Sequence, residues 1–573
     1  MTNALVRDVD SDVGRPALRR PTSLVDALQR ARTIDRLGLT FIGPDLSTRD
    51  LTWKQVALEA ERRCTRLLQT GLTTGDRIAM FAHEEESFVL NFFGAILGGL
   101  VPVPMSPPTP FGRRDLQLER VASILNRSHA TCIVGPADLI SSLDALAKLC
   151  PKLRSRITYE ELSRYSTDDD SSTYVVEPQL QDLCLLQFTS GSTSQPKGVE
   201  VTHGNVMANA EALHDLLGTD VEQRVAVTWA PLFHDMGLIG SLIPSALYHS
   251  RHVFIPTATF VRQPQIWLQT VDRYRATITT ANNYALRAAV KRLARDAAFD
   301  LSRLDVIVVG GEPIHPQIAE DFIEALRPLG LKETALTPAY GMAEATLAIS
   351  THRADARLRT LSIARDEYEC QRQVRLAVAG EPSLVVVDCG IQLPDHDVAV
   401  ADSEMNLLPE DRVGEILFRG PSVCRGYYDD PEGTKKIFFD GWLKTGDLGF
   451  IHDGHVFISG RLKDLIIVAG RNYYPQDIEW AVSHLPGVRS HHVIAFSVPG
   501  PEVERLVIVC ESLVVPDSDR LDRLIRDLIV REFGVNPHDI VVADAGSLPQ
   551  TSSGKPCRAQ ARNEYLARTA IAT

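Results

Sequence analysis

Short runs rich in β-branched residues alternate with longer stretches of helical periodicity along most of this chain, and that alternation limits the fold more than any other feature. Arg77 to Phe81, Arg224 to Val227, His252 to Ile255 and Asp305 to Val309 read as strands, and stretches such as Tyr284 to Ala294 read as helices. Strands that alternate with helices imply largely parallel sheets covered on their faces. Leu51 to Gly71 reads as an early helix, with Thr52 as its cap, Gln55 in capping-box position and Gly71 closing it. Phe88 to Met105 approaches the length of a membrane span, but Gly94, Gly98, Gly99, Pro102 and Pro104 interrupt it. The expectation there is a buried helix followed by a buried strand.

At 573 residues the chain exceeds a single core, since roughly 100 to 200 residues make one domain. Its character changes after Gly460. The charged segment Arg461-Leu462-Lys463-Asp464 leads into short strands, Val493 to Val498 and Leu506 to Cys510, and an amphipathic helix carrying Leu521, Leu524, Ile525, Leu528 and Ile529. Gly534 stops that helix. The expected fold is α/β: a large N-terminal domain of several subdomains with mixed and parallel sheets over residues 23–460, and a small mobile α+β C-terminal domain over 461–573. Residues 1–22 read as a loose leader with no apolar signal core.

The net charge of −13 disfavours nonspecific binding to nucleic acid or anionic lipid, which requires surplus Lys and Arg. Nine cysteines lie scattered with no CxxC pair and no zinc-like spacing, as expected of reduced thiols in a cytoplasmic protein.

One loop carries the chemistry most openly. Thr189-Ser190-Gly191-Ser192-Thr193-Ser194-Gln195-Pro196-Lys197-Gly198 follows the apolar run Leu183 to Phe188, so hydroxyls and backbone N–H groups emerge at a strand end suited to an anion. It is not a Walker A loop, because Pro196 precedes Lys197 and Gly198 follows it. Taken alone, a flexible Ser/Gly loop is an equal reading.

That loop is similar to the phosphate-binding signature of the acyl-adenylate-forming superfamily, which includes acyl-CoA ligases, luciferases and nonribosomal adenylation domains. The likeness recurs in order along nearly the whole chain. Tyr340-Gly341-Met342-Ala343-Glu344 resembles the next motif, implying a Tyr ring by the adenine and a Glu carboxylate for Mg²⁺. Gly310-Gly311-Glu312-Pro313 implies an adenine-pocket wall, and Asp447 a partner for the ribose hydroxyls. Arg461 implies a nucleotide contact, Lys463 a hinge, and Lys555, in Thr551-Ser552-Ser553-Gly554-Lys555-Pro556, the cation between the substrate carboxylate and the α-phosphate. His234, in Phe233-His234-Asp235-Met236-Gly237, implies a residue near the entrance for ATP and acid. A hydrolase reading of the His-Asp pair fails for want of a G-x-S-x-G elbow.

Three stretches look specifically like fatty acyl-AMP ligases: Pro231 to Gly240, Val101-Pro102-Val103-Pro104 with Pro107-Pro108, and Gly470 to Glu479. An extra stretch of approximately residues 351–383 stands where those enzymes carry an insertion, which implies packing on the N-terminal domain and restriction of the C-terminal domain. Arg353, Arg357, Arg359 and Arg365 with little apolar periodicity leave a surface loop as the other reading. Ala281-Asn282-Asn283-Tyr284 departs from the family wording, which has a Pro there.

The resemblance implies activation of a fatty acid by ATP and Mg²⁺ to an acyl-adenylate, then transfer to the phosphopantetheine thiol of an acyl carrier protein acting in trans. The carrier is expected on another polypeptide. Arg520, Arg523, Arg526 and Arg531 are candidates to receive it, an ordinary solvated face being the plainer reading. Alternatives are a fatty acyl-CoA synthetase, an amino-acid adenylation domain, and a non-catalytic nucleotide or acyl sensor on the same fold.

Overall fold

The computed structural model describes residues 20–83, 85–108, 114–143, 146–164, 174–189, 196–218, 220, 223–294, 298–468, 470–500, 504–512, 518–550 and 556–571. A nine-stranded sheet forms the centre of the larger part. Its strands are β1 (Leu37–Ile42), β2 (Thr48–Thr52), β3 (Val225–Thr228), β4 (Arg251–Phe254), β5 (Ile278–Ala281), β6 (Val306–Val309), β7 (Leu336–Gly341), β8 (Ala348–Thr351) and β9 (Ile391–Gln392). They lie in the order β9-β8-β7-β6-β5-β3-β4-β1-β2. From β1 through β7 the neighbours run parallel, and the edges β2, β8 and β9 run antiparallel.

The central strands are short and β-branched because both faces are covered. Phe254 packs into one core with Leu39, Phe41, Val206 and Ala210, while its neighbour Val253 packs into the other with Val227, Trp267 and Phe322. Helix His203–Leu217 covers the first face, and helices Gln265–Arg273 and Pro316–Leu326 cover the second.

A second sheet of four parallel strands orders Val101–Met105, Arg77–Phe81, Cys132–Gly135 and Ser155–Thr158. The run from Phe88 to Met105 resolves into helix Glu85–Leu97 and a fully buried strand, as its glycines and prolines predict. No helix among the described residues is long and apolar enough to cross a membrane. Helix Trp53–Gln69 starts at Thr52 with both capping-box bonds, Gln55 N–H to Thr52 Oγ1 at 3.2 Å and Thr52 N–H to Gln55 Oε1 at 2.8 Å.

The smaller C-terminal part is α+β, with a three-stranded sheet of Val488–Val498, Arg505–Ser512 and Asp539–Ala543. Helices Pro475–Ser483 and Ser518–Phe533 cover it through Ile478, Leu521, Ile525 and Ile529. Leu524, expected on that apolar face, is 39% exposed, so the stripe is narrower than its spacing suggests. Seven of the nine cysteines are buried, Cys370 is exposed and Cys557 is half-buried, all as free thiols.

The stretch 351–383 is more than a surface loop. Strand Thr360–Ala364 pairs antiparallel with Ser383–Val387, and helix Arg365–Gln371 follows the first strand. Leu361, Ile363, Tyr368 and Val374 share a core with Phe450, Phe457, Leu465 and Tyr474. The Tyr368 hydroxyl also bonds Ser459 Oγ.

Candidate active site

One cavity of about 1460 Å³ opens beyond the C-terminal ends of β5, β6 and β7 and extends between the large and small parts. Ligands of open α/β sheets bind at those strand ends. Thr189 and Lys197 face each other across the hairpin formed by strands Leu183–Thr189 and Lys197–Thr202, and both line the cavity. Of the loop between them, Ser190, Gly191, Ser192 and Thr193 lie outside the described residues. Gln187 Nε2 donates to Phe233 O at 2.8 Å and so ties this hairpin to the segment holding His234. His234 caps the short helix Asp235–Gly237 through Nδ1, 3.3 Å from Met236 N, with Asp235 Oδ1 2.6 Å away.

Next to this hairpin Glu344 is buried in the turn Ala343–Ala345. Tyr427 donates its hydroxyl to Glu344 Oε1 at 2.7 Å, and Lys197 Nζ stands 4.3 Å from the Tyr427 ring. Burial, with the Glu344 charge behind it, holds the Tyr427 phenol far above its ordinary range, so it stays a donor. Tyr427 was not foreseen from the sequence, because its window carries no motif and only the fold brings it to Glu344.

Asp447 is buried at the next corner. Tyr340 donates its hydroxyl to Oδ2 at 2.8 Å, Arg461 Nε lies 3.3 Å from Oδ1, and strand pairing sets Asp447 opposite Arg461. Burial raises the Asp447 carboxyl above its usual value, with Arg461 and Tyr340 offsetting part of that cost. Lys463 follows on the turn Leu462–Asp464 and is lowered by burial and by Arg461.

Gly310, Gly311 and Glu312 leave β6 in a turn where Gly311 has φ +82°. A Cβ on Gly310 would stand 2.7 Å from Ala339 O, which explains the need for a bare backbone there. Asn283 braces the turn: its N–H donates to Glu312 Oε1 at 3.1 Å, its Nδ2 to Pro313 O at 2.8 Å, and its Oδ1 accepts from His315 N at 3.0 Å. Asn282 caps helix Asn283–Lys291. The Asn-Asn pair where the family wording has Pro is therefore a helix start and a clamp, a signal that helix-cap rules expose. Gly341 and Met342 complete this wall of the cavity.

The C-terminal part closes the cleft. Gln550 and Pro556, which bridge to each other, line the cavity on either side of 551–555, and Lys555 lies outside the described residues. Arg558 binds Glu479 through Nε at 2.8 Å and Nη2 at 2.6 Å, and Asp464 at 3.2 Å. His315 stacks on Trp480 with centroids 3.3 Å apart and planes at 21°.

Residues 29–428 match the family of AMP-binding enzymes. The chain belongs to this family. This AMP-binding enzyme is 35% identical over 531 residues to a putative acyl-CoA synthetase of Caulobacter vibrioides, covering 91% of each chain. It is 34% identical to a medium-chain-fatty-acid–[acyl-carrier-protein] ligase of Moorena producens, covering 91% of this chain and 90% of that one. Among solved structures it superposes on a fatty acyl-adenylate ligase, from work on the E. coli and L. pneumophila enzymes, with a TM-score of 0.89 at 30% identity, covering 96% and 98% of the two chains. The AMP-binding enzyme is thus an adenylate-forming acyl ligase, with ATP as the substrate its family implies.

Proposed function

We propose that this enzyme is a fatty acyl-AMP ligase that activates a fatty acid and hands it to an acyl carrier protein acting in trans. The observation that carries the reading is the convergence of Thr189, Lys197, Glu344, Asp447 and Arg461 on one cavity that Gln550 and Pro556 also line. A sensor that had lost catalysis would have no need to keep this set of charges together.

In this reading the acid carboxylate attacks the α-phosphorus of ATP. A P–O bond to the acid forms, the bond to the β-phosphate breaks, and pyrophosphate leaves. Phosphoryl transfer of this kind depends on positioning and on charge stabilisation. Thr189 with Ser190, Gly191, Ser192 and Thr193 cradles phosphates, Lys197 adds a cation, Asp447 accepts the ribose hydroxyls, and Gly311, Glu312, Tyr340, Gly341 and Met342 bound the adenine. Glu344 suits Mg²⁺: it is a single buried carboxylate outside any cluster of metal-binding side chains among the described residues, and Mg²⁺ takes one or two carboxylates plus phosphate oxygens. Magnesium, when bound, would neutralise part of the triphosphate charge. Arg461 orients the nucleotide, and Lys555 offsets repulsion between carboxylate and α-phosphate. His234 stands at the mouth by which acid and ATP enter.

The domains divide at 460/461 in this proposal, with Lys463 as the hinge that withdraws Lys555 for the second step. A thiolate then attacks the acyl carbon, the C–O bond to phosphate breaks, and AMP leaves. The carrier as acceptor is supported by the insertion, whose helix reaches the C-terminal part. Arg471 binds Glu369 at 2.6 Å and Asp366 at 2.7 Å, Asn472 Nδ2 donates to Glu369 O at 2.6 Å, and Arg365 Nη1 donates to Glu532 O at 3.3 Å. Such ties resist rotation of that part. The test is enzyme, ATP, Mg²⁺ and a fatty acid with either CoA or a holo-carrier protein, scoring thioester. Acyl-carrier with little acyl-CoA is expected, and efficient acyl-CoA formation would make the enzyme an acyl-CoA synthetase.

A further inference from the structure

The cavity continues past the nucleotide motifs toward the opposite ends of the strands. Gly310 and Tyr340 stand at the C-terminal ends of β6 and β7, whereas Arg224 and His252 stand at the N-terminal ends of β3 and β4 and line the same cavity. A strand of four residues spans about 13 Å, so the two sets lie at opposite poles. Apolar groups such as Leu213, Leu217, Ala226 and Ile278 also line this part, as an acyl chain requires, but the far pole is polar. His214, Arg224, Tyr248 and His252 line it. The strand register sets His252 beside Ala226, two residues from Arg224.

Hydrogen-bond accounting assigns the protons there. Arg224 can only donate, so His214 Nδ1 accepts from Arg224 Nη2 at 3.2 Å, and the neutral His214 ring carries its proton on Nε2. The Tyr248 ring lies 4.6 Å from that of His214, and its hydroxyl donates to Ala210 O at 3.4 Å. At His252 the order is reversed. The Ser245 hydroxyl has one proton, and with that proton directed at the carbonyls of Ser241 at 2.9 Å and Leu242 at 2.8 Å its oxygen accepts from His252 Nδ1 at 3.2 Å. The lone pair on His252 Nε2 is then left with no hydrogen-bond partner among the described residues, on a side chain only 1% exposed. Burial drives the His252 pKa down to about 3, so this nitrogen is an acceptor at neutral pH.

A buried acceptor without a partner is costly unless a ligand supplies a donor. We infer that the far pole of the cavity reads a hydroxyl group on the acid, so that the substrate class is a hydroxy acid oxygenated far from the carboxylate that is activated. A hydroxyl donates to His252 Nε2 and offers its oxygen to the Nε2–H of His214. A methyl does neither, and a carboxylate brings no proton for His252. This inference rests on the acid-activating reading above and narrows it.

The test uses the full-length enzyme with ATP and Mg²⁺, scoring pyrophosphate release on straight-chain acids of graded length. Each length is presented as the unsubstituted, the ω-hydroxy and the α,ω-dicarboxylic acid. At the best length the ω-hydroxy acid is expected to exceed the unsubstituted one in kcat/KM by about tenfold or more, since a site built to bond a hydroxyl rejects the analogue lacking it. His252→Leu is expected to bring that ratio toward one, and the wild-type ratio decides the matter if the variant does not fold. Preference for the unsubstituted or the dicarboxylic acid at every length would overturn the inference while leaving acid activation standing. Failure to activate any acid would overturn the acid-activating reading itself, and this inference with it.

Discussion

Asp447 and His252 are both buried polar groups on the wall of one cavity, yet the structure treats them in opposite ways. The Asp447 carboxylate has Tyr340 and Arg461 around it, and nearby Glu344 has Tyr427. His252 spends Nδ1 on Ser245 and has no partner for Nε2 among the described residues. A group whose burial is offset by its own neighbours holds its position before any ligand arrives, which is what electrostatic preorganisation requires. A group left unsatisfied makes its ligand part of its own stabilisation. Under the proposed function, the nucleotide end would act on any acid presented to it, and discrimination among acids would fall to the far pole.

The largest effect should come from the cation proposed to complete the nucleotide end. Lys555→Ala is expected to lower acyl-AMP formation by about 10²-fold or more, as removal of a transition-state donor does, while thioester transfer from preformed acyl-AMP is retained. Normal adenylation by that variant would break the comparison, because preorganised charge would then not be limiting.

Tyr427→Phe sharpens it. The substitution removes one donor and leaves the buried Glu344 carboxylate short of a partner, which costs about 1–3 kcal/mol, or roughly five- to 150-fold in kcat/KM for ATP at fixed Mg²⁺. An unchanged value would mean that Glu344 is not held by Tyr427 in the working enzyme.

The junction with the C-terminal part tests whether preorganisation extends beyond the cavity. Arg471→Met leaves Glu369, a buried carboxylate raised by burial, with Arg365 as its remaining cation at 3.8 Å. A loss of about 1–2 kcal/mol in denaturant unfolding is expected, smaller than for a fully buried pair because Arg471 is 29% exposed. Arg419→Met, which breaks an exposed pair with Asp397, should stay within about 0.5 kcal/mol. Equal losses in the two variants would remove the special standing of the insertion contact.

The smallest effect concerns pH. Burial, and then His484, lower the His315 pKa to about 4, against an ordinary value near 6.5, where the ring stacks on Trp480. The docked arrangement therefore disfavours the proton. Its contribution is fully present above pH 6.5 and is lost as pH falls from about 6.5 toward 4, where an undocked His315 binds a proton that the docked one refuses. Tryptophan fluorescence should change over that window in the wild type and less in His315→Gln. A profile that the substitution leaves untouched would dissociate the stack from domain docking.

Much of the fold is legible in the chain because its signals are local. Thr52 and Gln55 make their capping box at three residues' separation, and the β-branched runs at 225–228 and 306–309 form strands wherever both faces are covered. Edges moved by a residue or so: the strand expected from Asp305 begins at Val306, and the helix expected from Tyr284 begins at Asn283. The insertion was harder to read. Its apolar residues Leu361, Ile363, Tyr368 and Val374 fall on strand, helix and loop in turn, so no single period connects them.

By itself the sequence determined the parallel architecture, the small α+β region and the family of the nucleotide motifs, because each is written in residues a few positions apart. Only the tertiary structure decided that Tyr427 serves Glu344, 83 residues away, that Tyr340 and Arg461 share Asp447, and that His214 and His252 line one cavity with their Nδ1 atoms against Arg224 and Ser245. Those pairings join elements whose separation in the chain carries no periodic signal. They form because packing the sheets against their helices takes Glu344, Tyr340, Asp447 and His252 out of water, and so selects the neighbours that can satisfy them.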